Sequence, residues 1–71
     1  MLKAILVNKE NEILLDLGVF ETEKEMIYTI SKTIEKTLEI ESYYWRQFFN
    51  DDGYTWIDFG NKTKFFKYVA I

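Results

Sequence analysis

The sequence predicts an α+β fold in the order ββαβββ, one helix packed on an antiparallel sheet, with residues 1–71 forming a single domain. Three observations carry this. Helical periodicity occurs once, where Ile27, Ile30, Ile34 and Leu38 recur at the spacing of one helix face. Apolar, β-favouring runs flank that stretch on both sides and are separated by turn-forming residues. Eleven of the thirteen aromatic side chains lie from Tyr43 onward, and aromatic residues suit a pleated surface.

Leu2 to Val7 is an apolar run that reads as the first strand. Asn8-Lys9-Glu10-Asn11 breaks it with two turn-forming Asn residues. Ile13 to Phe20 alternates, placing Ile13, Leu15, Leu17 and Val19 on one face and closing a β-hairpin. Thr22 is a candidate N-cap, Glu25 completes a capping box, and Glu21, Glu23 and Glu25 sit at the positive end of the helix dipole. The helix is expected from about Glu23 to Glu41, with Lys32, Glu35, Lys36 and Glu39 opposite the apolar stripe. Thr29, Ser31, Thr33 and Thr37 are mediocre helix formers, so the helix depends on docking that stripe.

Trp45 and Phe48 would extend the stripe if the helix continued. The aromatic run Tyr43 to Phe49 is nevertheless read as a strand, because Asn50-Asp51-Asp52-Gly53 is a strong hairpin turn. Tyr54 to Phe59 is the next strand, Gly60-Asn61-Lys62 turns again, and Thr63 to Ile71 is the last.

The turns set an expected register, with Phe49 opposite Tyr54 and Phe59 opposite Thr63. One face then collects Tyr44, Phe48, Ile57, Phe59, Phe65, Val69 and Ile71, and is assigned to the helix. The other collects Tyr43, Trp45, Phe49, Tyr54, Trp56, Phe66 and Tyr68, and pairs Asp58 with Lys64 across strands. A helix about 10 Å wide cannot cover five strands spanning roughly 19 Å, and nothing remains to cover the second face. Trp and Tyr tolerate partial exposure, so Tyr43, Trp45, Tyr54, Trp56, Phe66 and Tyr68 are the candidate partner-binding residues. A strongly curled sheet that takes these rings into its core is the competing expectation, and a one-residue slip would exchange the two sets.

Composition narrows the function. A chain this short buries only roughly 60% of its unfolded surface, so association is an expected source of stability. Without Cys or His there are no disulfides and no thiolate or imidazole metal ligands. The same absence removes the usual nucleophiles and bases, so neither catalytic residues nor cofactors are expected and the chain does not read as an enzyme. Asp51 and Asp52 are expected to be solvated turn residues of ordinary acidity. Asn50-Asp51-Asp52-Gly53 fails as a calcium loop, because Phe48 stands where an alternating ligand is needed. Met1 to Val7 is too short for a signal peptide and no run is long enough to span a membrane, which points to a cytoplasmic protein.

Net charge is −3 and uneven. Residues 1–42 carry five lysines against nine acids; residues 43–71 carry four bases against three acids. The interleaving of Arg46, Trp56, Lys64, Phe66, Lys67 and Tyr68 matches the way single-stranded nucleic acid is held, with rings on bases and cations on phosphates. The acidic total opposes phosphate binding. Nucleic acid is therefore the alternative, and a homodimer or a protein partner the main expectation.

Trp56-Ile57-Asp58-Phe59-Gly60 followed by Lys64-Phe65-Phe66 resembles the ending of small uncharacterised proteins of Gram-positive phages and mobile elements. The resemblance covers the C-terminal third. It implies a small accessory protein acting on a host or phage macromolecule, and it transfers no functional residue.

Overall fold

A computed structural model describes all 71 residues. The strands are β1 (Leu2–Asn8), β2 (Ile13–Phe20), β3 (Arg46–Phe49), β4 (Thr55–Asp58) and β5 (Lys64–Ala70), with helix α1 (Glu23–Lys32) after β2. They form one five-stranded antiparallel sheet in the order β2-β1-β5-β4-β3. The two ends of the chain thus meet in the middle of the sheet, with Leu2 opposite Ala70.

Thr22 caps α1 as expected, its Oγ1 accepting the Glu25 N–H at 3.2 Å. The helix is shorter than Glu23 to Glu41. After Lys32 it widens into a π-helical turn, Thr33–Thr37, and ends at Leu38. Where it widens, the Thr29 carbonyl accepts both the Thr33 N–H and, at 2.8 Å, the Thr33 hydroxyl, a back-bond of the kind that bends helices. Leu38 N–H then reaches Thr33 O at 3.0 Å, and Glu39 takes a left-handed φ of 56° that turns the chain away.

The core lies between α1 and one sheet face. Met26, Ile30 and Ile34 pack on Ala4, Leu6, Ile57, Phe59 and Phe66. In β2 the expected single apolar face is broken by two bulges, which skip Leu17 and Leu14 in the pairing with β1. Leu15 pairs with core Leu6, whereas Ile13 pairs with Val7 on the opposite face.

Both C-terminal hairpins are shifted by one residue from the expected register. Phe49 pairs with Thr55, not Tyr54, because Asn50 and Tyr54 close the turn (Asn50 N–H to Tyr54 O, 2.9 Å) and Gly53 adopts φ 85°. That is the geometry of a three-residue hairpin loop with a glycine bulge. Ile57 pairs with Phe66, because Asn61 Oδ1 accepts the N–H groups of both Thr63 and Lys64 and keeps Thr63 in the turn. Both neighbours of β4 therefore present the opposite set of side chains to the helix.

Candidate functional site

The register defines the face that α1 does not cover. Trp56 is flanked by Phe48 on β3 and Lys67 on β5, and Lys67 by Ile5 and then Asp16. Phe65 lies beside Val7, and Val69 beside Lys3 and Val19. Alternation along each strand puts these residues, with Arg46 and Asp58, on the same open face.

This face builds a small second core of its own. Ile5, Val7 and Trp56 are buried there, with Tyr54 and Phe65 packed against them. The Trp56 ring stacks on Phe48 at a centroid distance of 6.5 Å and meets Phe65 edge-on at 5.6 Å. Lys67, with only 7% of its side chain exposed, places its ammonium 4.2 Å from the Tyr54 ring centroid and 5.2 Å from that of Trp56.

Asp52 completes the cluster. Its carboxylate accepts from Lys67 Nζ at 3.0 Å, from Trp56 Nε1 at 3.1 and 3.2 Å, and from the Tyr54 N–H at 3.0 Å. Partial burial pushes the Asp52 carboxyl up, but the Tyr54 N–H, Lys67 and Trp56 outweigh it and hold the group below its ordinary value. Asp52 is exposed in the turn as expected, but the expectation of ordinary acidity is corrected: the turn folds back so that this acid serves as the counter-ion of a buried lysine. A cation two residues from Phe65 in an alternating strand was the available signal, and only the register reveals its partner.

The candidate contact residues divide between the two faces. Tyr54 and Trp56 lie on the open face, Trp56 being 8% exposed. Phe66 is fully buried beneath the helix, and Tyr43, Trp45 and Tyr68 pack around that same core. Tyr43 donates to Glu35 Oε2 at 3.0 Å, while Gln47 accepts from Trp45 Nε1 at 2.8 Å and donates to the Tyr68 hydroxyl at 3.0 Å. Asp58 does not face Lys64, which pairs with Asn8. It faces Arg46 at 3.3 Å and also accepts from the Tyr44 hydroxyl and the Gly60 N–H.

Charges on the open face cancel in three cross-strand or turn-to-strand ion pairs: Lys3–Asp16 at 3.8 Å, Arg46–Asp58 at 3.3 Å and Lys67–Asp52 at 3.0 Å. What remains is apolar: Phe48 and Val19 are exposed, and Phe65 and Val69 half-buried. A cleft of about 390 Å³ lies between Tyr43, Tyr44 and the Phe59–Asn61 loop. No group of three or more acidic side chains gathers where a metal ion could be held, and no helix is long and apolar enough to cross a membrane. No protein-family model, curated protein or solved structure matches the chain.

Proposed function

We propose that this is a non-enzymatic accessory protein that acts by binding protein through the open face of its sheet, with a second copy of the chain as the first partner. The reading rests on one observation above all: every charge on that face is paired within the chain, which leaves a face of no net charge whose exposed ion pairs, Lys3–Asp16 and Arg46–Asp58, reach the edge strands and whose middle is apolar. Such a surface docks against another apolar surface without stranding an ion. Buried Trp56 and half-buried Tyr54 are its support, and Phe48, Phe65, Val19 and Val69 its contact layer. The C-terminal resemblance adds an origin in a phage or mobile element. Single-stranded nucleic acid receives less support, because Arg46 and Lys67 are already paired and Phe66 has no exposed ring to stack on.

Size sets the strength. Strands of four to eight residues, averaging about six, make a face of roughly 19 by 20 Å, or about 380 Å². That is well below the roughly 800 Å² per partner of a standard interface, so reversible, concentration-dependent association is expected. Sedimentation velocity over a wide concentration range tests it. Phe48→Ser should keep the far-ultraviolet spectrum and weaken association by about tenfold or more. A wild-type chain that stays monomeric throughout, or a Phe48→Ser variant that associates unchanged, would sink the sheet-face reading.

A further inference from the structure

We propose that the free edge of β2 is a second docking strip, which takes an extended segment of a different protein, apolar at its centre and basic at both flanks.

β2 has β1 as its only neighbour, so one side of an eight-residue backbone carries unpaired donors and acceptors. The opposite edge, β3, has four residues and includes Arg46 and Gln47. An added strand pairs such groups along the edge in place of water.

The side chains of β2 are those of an interior strand. Ile-Leu-Leu-Asp-Leu-Gly-Val-Phe is nearly continuous in apolar residues, the pattern of a strand covered on both faces. On the open side Ile13 is 65% and Val19 50% exposed; Leu15, on the helix side, is 38% exposed. Docking on one sheet face would cover one set and leave the other in water, whereas an added strand shields both. Lys and Pro, the usual guards of an edge, are absent from β2. Its one charge, Asp16, is taken up by Lys3 and by the Gly18 N–H at 2.9 Å. The two bulges twist the strand without removing its apolar surface.

A receptor for a side chain adjoins this edge. Between the end of β2 and α1 lies a cleft of about 470 Å³, lined by Phe20, the exposed Tyr28 ring, Lys24, Glu25 and Thr29. A strand added beside β2 projects alternate side chains to the helix side, toward this cleft.

Charge selects the occupant. Glu10 and Glu12 flank one end of β2, and Glu21, Glu23 and Glu25 flank the other, with Lys9 and Lys24 as the nearby cations. All of these side chains are exposed. A second copy pairing antiparallel through β2 would bring Glu12 of each chain toward Glu21 of the other, an unfavourable match at both ends. A foreign strand with lysine or arginine flanks meets attraction at both ends instead.

The probe is a synthetic peptide with a valine-rich apolar centre and paired lysines at each end, titrated into isotopically labelled protein. Amide shifts should concentrate between Ile13 and Phe20 and at Tyr28, and β2 amides should exchange more slowly. The same peptide with glutamates for lysines should bind about tenfold more weakly or worse, as should the lysine peptide to Ile13→Lys. Ile13 is exposed, so that variant should keep its folded spectrum. Four results would each overturn the proposal: no shifts, shifts confined to Trp56 and Phe65, equal binding of both peptides, or a peptide-free dimer joined through β2. The sheet-face reading is judged separately, by Phe48→Ser.

Discussion

Lys67 is a cation held inside the molecule by one acid and two rings, and the consequences of altering it are asymmetric. Removing Asp52 leaves a buried ammonium without a counter-ion, which costs about 3 kcal/mol or more. Removing the lysine is milder. In Lys67→Met the Asp52 carboxylate keeps the Tyr54 N–H and Trp56 Nε1 and retains some contact with water, so about 1 kcal/mol is expected. Chemical denaturation of Asp52→Ala, Lys67→Met and the double variant tests this; the double variant should be more stable than Asp52→Ala alone. Acid provides an independent check. The folded Asp52 carboxyl titrates below its unfolded value, so its contribution is complete above about pH 3.9 and fades as pH falls through the folded value. The stability gap between wild type and Asp52→Ala should therefore close on strong acidification. A gap that stays constant down to pH 2 would show that the carboxylate charge is not what holds the cluster.

At the level of elements, strands and helix were readable because each carries its own periodicity and its own punctuation. Thr22 and the Ile27–Ile30–Ile34 stripe placed α1, and Asn8–Asn11 placed the first turn. Register was not readable in the same way, since it depends on turn geometry rather than on the strands. Gly53 at φ 85° and the side-chain bonds of Asn61 each added a residue to the turn arithmetic, and one residue exchanges every face. Phe66 and Tyr68 moved under the helix for that reason, while Trp56 kept its place on the open face. The helix end was hidden for a different reason: the widening begins at Thr33, whose hydroxyl bonds back to the Thr29 carbonyl, and no periodicity reports that. Its last step is the least favourable: Glu39 adopts φ 56°, where a Cβ is disfavoured by roughly 1–2 kcal/mol. Glu39→Gly relieves that and repays part of it through a more flexible unfolded chain, for a net gain of about 0.5–1 kcal/mol. A rise in Tm of a few degrees is the expected result, and a fall would mean that the Glu39 side chain itself stabilises the turn.

For the whole molecule, the decisive fact is that the first and last strands pair at the centre of the sheet. β1 and β5 are central neighbours, Leu2 lies opposite Ala70, and Ile71 N–H donates to Met1 O at 2.9 Å. Such pairing is as non-local as the chain permits, so the centre of the sheet cannot form until the last strand is available. Stability should then fall from the centre outward. β1 and the middle of β5 are buried on both faces, whereas β3 has four residues, all exposed, and a single neighbouring strand. The β3–β4 hairpin is tied to the rest by the β4–β5 ladder and by Asp52, whose turn reaches across to Lys67. Native-state hydrogen exchange should therefore rank β1 and β5 most protected, β4 next and β3 least. In Asp52→Ala the loss of protection should be concentrated between Arg46 and Asp58, with β1 lowered only as far as global stability falls. Equal losses across all five strands would mean that the hairpin has no separate opening, and that the Asp52–Lys67 contact stabilises the molecule as one unit rather than clasping its most exposed edge.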